Sequence, residues 1–416
     1  MGYCTNGYFK ITIMCGILAM FLSACGSGEE PSESVLVTQQ PTLAPVVQTT
    51  PAPTLKPTSS PTPQPTSIPT PTPLPEINLV MVGDMLMHER VVESGLQEDG
   101  SYNFDHLFTH VQEKIESADL ALVNQETILG GTELGLSGYP CFNSPYELGV
   151  AEVEAGFDVI LHGTNHALDK GKKGTANCMN FWEETYPEIA YLGINESQDA
   201  QDDYIYIYEK DGIKIAILNY TYGTNGIATP KDMPYLVNYM EEEKVISDIQ
   251  KAEELADFTV VCPHWGNEYY LDISSNQKYW TNIFLEQGVD LVLGTHPHVI
   301  EPVEWVFDDA GHEMLVYYSL GNFVNGTSGT GAGVMNRCVG ALADVTIGKN
   351  EAEDVIVLEY DAIPLVCHIA EGEEYTVWYL EDYTEELAKK NLICSQDGDF
   401  SLENCKALVE QVWGEE

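Results

Sequence analysis

The chain has 416 residues, 65 of them acidic and 18 basic, for a formal net charge of -47. That balance excludes nucleic acid as a partner, because binding there rests on cations that neutralise phosphates, and it excludes electrostatic docking on anionic lipid. None of the ten cysteines stands in CxxC spacing, which argues against a zinc ribbon.

The N-terminus reads as a targeting signal. Lys10 precedes the apolar run Ile11–Leu22, too short to span a bilayer comfortably and not followed by a stop-transfer cluster of charge. The run ends in Leu22-Ser23-Ala24-Cys25 and turns polar at once, a pattern that resembles a bacterial lipobox. Residues 1–24 are then a signal peptide, and Cys25 carries the lipid that holds the chain to the outer face of the cell membrane. Residues 25–75 form a tether rich in Pro, Thr, Ser and Gln, with too few large apolar residues to offset the entropy of ordering. In the polyproline form, at ~3.1 Å per residue, it reaches on the order of 100 Å.

From residue 76 the composition is globular. Six short apolar runs each lead into a polar cluster. Ile77–Val82 leads to Gly83-Asp84, and Ala118–Val123 to Asn124-Gln125-Glu126. Phe157–Leu161 leads to His162-Gly163-Thr164-Asn165-His166, and Phe258–Cys262 to Pro263-His264-Trp265. Val289–Leu293 leads to Gly294-Thr295-His296-Pro297-His298, and Met314–Tyr318 to Ser319-Leu320-Gly321-Asn322. Helical periodicity lies between several of them, at about residues 174–184, 241–255 and 277–287. Strands alternating with helices indicate an α/β domain with a largely parallel sheet, over 76–347. Tyr204–Glu209 and Ile213–Asn219, joined across Asp211-Gly212, read as a hairpin. Residues 348–416 read as a small β-rich C-terminal extension packed on the core, with strands near 354–360 and 375–380 and a helix near 402–412. Of the seven cysteines beyond the tether, an odd number, Cys394 and Cys405 flank a polar loop and are candidates to pair.

Ligands in open α/β sheets collect beyond the carboxyl ends of the strands, so the polar clusters should converge on one site. Asp84, Glu126, Asn165, His166, His264, His296 and His298 offer oxygen and nitrogen donors and no thiolate. That set suits a divalent ion such as Mn, Fe, Zn or Mg. Taken singly, each residue has a plainer reading: a turn cap for Asp84, a loop hydrogen-bond network for Asn165 and His166, a buried core histidine for His264.

The order and wording of the clusters resemble the CapA/PgsA family of capsule and poly-γ-glutamate biosynthesis proteins. The similarity runs from about residue 77 to 346, through Val82-Gly-Asp-Met-Leu86, Asn124-Gln-Glu126, residues 164–171 (TNHALDKG), residues 263–269 (PHWGNEY), residues 294–299 (GTHPHV) and Ser319-Leu-Gly-Asn-Phe323. The resemblance implies a calcineurin-like, metallophosphatase-type α-β-β-α sandwich. It implies Asp84 on a first metal, Glu126 in the bridging place, and Asn165, His264, His296 and His298 as further ligands. It implies His166 as the neighbouring acid or phosphate contact, sharing the catalytic role with Asp84. It also implies Asp169, Glu268 and Asn322, with His88, as groups that orient the ligands, Asp169, Glu268 and Asn322 fitting equally well as loop hydrogen-bonders. Two departures stand out. Leu86 occupies the place of the His in the Asp-x-His that opens true metallophosphatase motifs, with His88 the nearest substitute, and Glu126 replaces the bridging Asp.

Two functions follow from the resemblance. One is metal-dependent, phosphoesterase-like chemistry in capsule or poly-γ-glutamate assembly. The other is a non-catalytic assembly factor with a degenerate site. Expected partners are the membrane through the lipid, membrane-bound polymer synthase subunits, and an anionic polymer or an envelope glycan. An anionic polymer must contend with the chain's own charge, whose repulsion salt confines to roughly 8–10 Å.

Overall fold

The computed structural model describes residues 74–414. The signal peptide, Cys25 and nearly all of the tether lie outside the described residues. Among the described residues no helix is long and apolar enough to cross a membrane.

Fourteen strands form two sheets. In chain order they are β1 (Glu76–Met85), β2 (Leu120–Asn124), β3 (Val159–Leu161), β4 (Ala190–Leu192), β5 (Tyr206–Lys210), β6 (Ile213–Thr221), β7 (Phe258–His264), β8 (Leu291–Leu293), β9 (Val303–Phe307), β10 (Glu313–Tyr317), β11 (Asn322–Val324), β12 (Val339–Lys349), β13 (Val355–His368) and β14 (Thr376–Tyr379). The first sheet runs β14-β13-β12-β1-β2-β3-β4, with β11 pairing onto the end of β1. The second runs β5-β6-β7-β8-β10-β9. In each sheet the strands that end at the polar clusters are mutually parallel; antiparallel strands close both edges of the second sheet and one edge of the first, whose other edge is the parallel strand β4. The parallel sheet read from the sequence is therefore two half-parallel sheets.

Side-chain alternation explains why two sheets form. Along β6, β7, β8 and β10, one set of residues (Ile215, Ile217, Val260, Cys262, Leu291, Leu293, Leu315, Tyr317) joins the large core shared with the first sheet. The residues between them (Ala216, Leu218, Val261, Val292, Met314, Val316) face a second core. That second core is completed by Val245, Ile249 and Ala252 of the helix Glu242–Leu255 and by Trp280 and Phe284 of the helix Ser275–Glu286. A period of two with both faces apolar demands a cover on each side. Helices Tyr146–Glu154 and Gly171–Thr185 add Leu148, Ala151, Cys178, Met179, Phe181 and Trp182 to the large core. The arrangement is the α-β-β-α sandwich expected, and the three helices stand within a few residues of their expected places.

The hairpin closes through Asp211 and Gly212, both at positive φ (52° and 78°), a two-residue turn whose twist matches the flanking strands. The tail is β-rich, as expected, but it is no appendage. β13 pairs along the whole of β12, β14 pairs with β13, and the expected boundary at residue 347 falls inside β12. All seven cysteines among the described residues are free thiols, Cys394 and Cys405 included, so the pairing suggested by their spacing is not made.

Candidate metal centre

At the carboxyl ends of β1, β2 and β7, at the start of β11, and in the loops after β3 and β8, the polar clusters of the two sheets meet. Asp84 reaches the centre because β1 breaks register there. Its backbone N–H donates to Gly321 O (2.9 Å), and the ladders to β2 and β11 both shift at this point. Gly83 is required for this approach, since a Cβ there would stand 1.9 Å from Gly321 O.

Glu126 lies in the middle, fully buried, and neither carboxylate oxygen has a hydrogen-bond partner. Its two oxygens face different groups. Oε1 is 3.7 Å from His264 Nε2 and 3.9 Å from His166 Nε2, whereas Oε2 is 3.7 Å from His298 Nδ1. His264 Nε2 also lies 2.9 Å from Asn165 Oδ1, and His298 Nδ1 3.0 Å from Asp84 Oδ2. The donors thus fall into sets that share Glu126: Glu126, His264 and His296 on one side, Asp84, Glu126 and His298 on the other. The residues fit a divalent cation, because a buried carboxylate with both oxygens orphaned is costly unless a cation takes them. His296 Nδ1 is likewise buried without a partner.

The electrostatics agree with that fit. Burial pushes the Glu126 carboxyl well above the usual range, while His298 pulls it back and Asp84 pushes it further. Burial opposes a proton on His298, yet Glu126 and Asp84 hold its pKa at about 9. Burial and the surrounding imidazoles drive His264 and His296 well down, so both are neutral, the form that ligates metal. His296 and His298 also have positive φ (98° and 59°), a conformation that costs a β-carbon-bearing residue of order 1–3 kcal/mol and is kept where function requires it.

The orienting groups divide. Asp169 Oδ2 lies 2.6 Å from His166 Nδ1 and also accepts from Phe142 N, fixing the His166 ring. Asn322 Oδ1 lies 3.0 Å from His298 Nδ1 while its amide donates to His298 O. Asp169 thus steadies His166 and Asn322 steadies His298. Glu268 stands closer than that: its carboxylate groups with His296 and His298 as a ligand set of its own. His88 does not replace the missing His at Leu86. Its ring packs edge-on against Phe142, 5.2 Å between centroids, outside every ligand set, and burial followed by repulsion from His298, His166 and Arg337 lowers its pKa to about 3. The strand-to-helix turn carries it past the cluster.

Several contributors were not foreseen. Asn124 donates to Asp84 Oδ1 (2.8 Å), Thr295 Oγ1 pairs with His264 Nδ1 (3.0 Å), and Asn225 contacts both Asn165 and His166. Tyr222 and Tyr269 rim the site, their rings 4.5 Å and 5.8 Å from those of His296 and His298. Arg337 lies over the Tyr269 ring, 3.6 Å from its centroid. Asn124 and Thr295 sit inside the sequence motifs and were passed over as strand-end neighbours. Arg337 had one signal: it is one of only two arginines in the chain.

Comparison with known proteins agrees with the geometry. The family model described as bacterial capsule synthesis protein PGA_cap matches residues 78–327, which includes every residue of the cluster. The capsule biosynthesis protein CapA of Bacillus anthracis is 28% identical over 60% of this chain and 60% of its own length. The PGA biosynthesis protein CapA of Bacillus subtilis (strain 168) is 28% identical over 58% and 62%. The chain thus spans about three fifths of the length of these curated relatives. Among solved structures, the NAD nucleotidase NadN of Haemophilus influenzae aligns at 13% identity with a TM-score of 0.44, over 82% of this chain and 67% of that one, a distance at which likeness says nothing of chemistry.

Proposed function

The chain belongs to the bacterial capsule synthesis (PGA_cap) family, and from that premise we propose that it acts in capsule or poly-γ-glutamate assembly through a divalent-metal centre with phosphoesterase-like chemistry. The working place is the outer face of the cell membrane, where a lipid on Cys25 and the tether would hold the domain beside membrane-bound synthase subunits and the emerging polymer. The observation that carries the chemistry is Glu126, whose two buried, unpartnered oxygens each face a different set of donors.

Asp84, Glu126, Asn165, His264, His296 and His298 would hold the ions, with Glu268 at the rim. A bound divalent ion, Mn, Zn or Fe, supplies Lewis acidity toward an ester or acyl oxygen. The chain's own groups do the rest. Asp169 fixes the His166 ring through Nδ1, which leaves Nε2 turned toward the cluster to carry a proton to a leaving oxygen. Asn124 and His298 flank Asp84 and hold its carboxylate in place. Tyr222 and Tyr269 shield the two strained histidines from bulk water.

Metal analysis of the purified protein tests this reading. About one to two equivalents of Mn or Zn should be retained or restored in the wild type and lost in Asp84→Ala and His296→Ala, in line with the steep cost of removing a ligand. A wild-type chain that holds no divalent ion would sink it.

A second reading, a non-catalytic factor that binds polymer or synthase, is favoured by Leu86 in the place of a ligand and by His88 standing outside the cluster. Full complementation of capsule assembly by Asp84→Ala/His298→Ala would establish that reading and exclude the first.

A further inference from the structure

Basic residues are scarce in this chain, with only two arginines, yet Arg337 stands beside the metal centre and Arg90 lines a cleft next to His88. That cleft, of about 640 Å³, is lined by Arg90 and Lys170 together with Ser137, Tyr139, Gly326 and Ser328. Glu89 and Glu93 line it too, so the cleft is not uniformly basic. Arg337 does not line the cleft itself; from the 3-10 helix Val334–Cys338 it reaches the back of the cleft wall at Thr327, between Gly326 and Ser328. Its Nη1 donates to Thr327 Oγ1 (2.9 Å), and a Cβ on Gly329 would stand 2.9 Å from that same nitrogen, so the loop is built to let the guanidinium in.

Two features of Arg337 are unexplained by packing. A guanidinium has five N–H donors, and among the described residues this one makes a single side-chain hydrogen bond, with its buried Nε left without an acceptor. No carboxylate forms an ion pair with it, although acidic groups outnumber basic ones more than threefold. Its position is nonetheless fixed. The plane lies on Tyr269, which in turn lies beside His298, and its own backbone carbonyl accepts from Asn322 and Asn325. Stacking of this kind occupies the face of the cation and leaves its edge for a planar oxyanion.

We propose that Arg337 is a specificity-determining residue: from its place on Tyr269, between the cleft wall and the metal centre, it anchors an oxyanion of the substrate while the bond to be broken lies over the metal centre. Arg90 and Lys170 line the path by which the substrate's further negative charges lead away. This deepens the function proposed above and rests on it for the identity of the reacting site. It also answers the charge problem, because Arg337, with no carboxylate paired to it among the described residues, offsets the repulsion of a chain at -47 at that point. A carboxylate of a γ-linked glutamate chain and a phosphoryl group share the required chemistry.

The test is calorimetric titration of the full-length, Mn-loaded protein with a γ-linked glutamate oligomer and, separately, with inorganic phosphate. Arg337→Gln should weaken binding about tenfold to a hundredfold, as expected for loss of a charge-assisted pair, and Arg337→Lys should recover part of it. Retained Mn and an unchanged melting temperature identify variants that still fold. Weakening confined to the oligomer assigns a carboxylate, and weakening confined to phosphate assigns a phosphoryl group. Unchanged affinity in a folded, Mn-loaded Arg337→Gln overturns the anchor, as does a wild type that binds neither probe. Loss of metal from the wild type would instead count against the metal centre, and the same titration of the metal-free protein then reads the anchor alone.

Discussion

At the residue scale, the informative object is a carboxylate that folding alone would not have kept. Glu126 is buried, both its oxygens lack donors, and its folded pKa is raised. A carboxyl raised in this way adds stability below its unfolded pKa and loses it as the pH climbs through the folded value. At pH 8 the metal-free protein therefore carries a penalty that a bound cation removes. Glu126→Gln should raise the melting temperature of the chelator-treated protein at pH 8, by the equivalent of about 1–3 kcal/mol, and should abolish the further rise that added Mn gives the wild type. Thermal melts with and without chelator and Mn read both effects. If Mn leaves the wild-type melt unmoved, Glu126 is not bound to a cation and the prediction fails. The ligands were legible in the sequence because each follows an apolar run directly. Arg337 was not, because a lone cation in a single 3-10 turn after a glycine-rich loop has no period to betray it. Glu268 was placed one step too far out for a related reason: its distance from His296 and His298 depends on how the loop after β7 turns at Gly266 and at Tyr269, both of positive φ.

Between residues and elements lies the join of β1, β2 and β11. Gly83 is where the three backbones close, and the break in register there turns Asp84 toward His298. Gly83→Ala would drive a methyl group into Gly321 O, and a backbone atom cannot swing away as a side-chain tip can. We expect a loss of about 3 kcal/mol or more, together with loss of Mn, because the shift lands on Asp84; a variant that melts and binds Mn like the wild type would contradict this account. A second element-scale case concerns the helix Ser275–Glu286. Ser274 and Gln277 form a reciprocal capping box, and Gln277 also donates to Glu301, whose other oxygen is unpartnered. Burial raises Glu301 from 4.5 to about 8, with the Gln277 bond pulling the other way and Asp272 adding to the rise. The protonated form is the one that folding favours, so its contribution is complete below pH 4.5 and is lost as pH rises toward 8. Glu301→Gln should thus stabilise the protein at pH 8.5, by up to about 3 kcal/mol, and change little at pH 4.5. Equal effects at the two pH values would refute the assignment.

For the whole molecule, the sequence yielded the order of strands and helices and the end at which they gather ligands, because periodicity and polar clusters are local signals. Those local signals yielded neither the division into two sheets, which came only through the family resemblance, nor the role of the tail. Both depend on which strands pair across long separations. Ile215 and Ala216 differ in which core they enter, and nothing in their spacing says that each core has a different cover. The tail illustrates the consequence. Its strand β13 pairs along all of β12, and Tyr375, Val377, Ile393 and Cys405 are buried in the large core. It also braces the loop that presents Arg337: Gln396 donates to Thr327 O and Gly329 O, Asp397 accepts from Met335 N, and Tyr375 donates to Asn325 O. A chain ended at residue 347, where the motifs stop, would leave the edge of β12 unpaired and that loop unsupported, and an open hydrophobic edge is a template for aggregation. Such a chain should be insoluble, or soluble without a cooperative melt. A chain begun at residue 74 and carried to the end should keep the melt and the Mn content of the full-length protein. Expression of the two, compared by sedimentation, calorimetric melting and metal content, decides the matter. A monomeric 74–347 fragment that melts like the full chain would mean that the tail is an appendage after all, and that the loop holding Arg337 stands on its own.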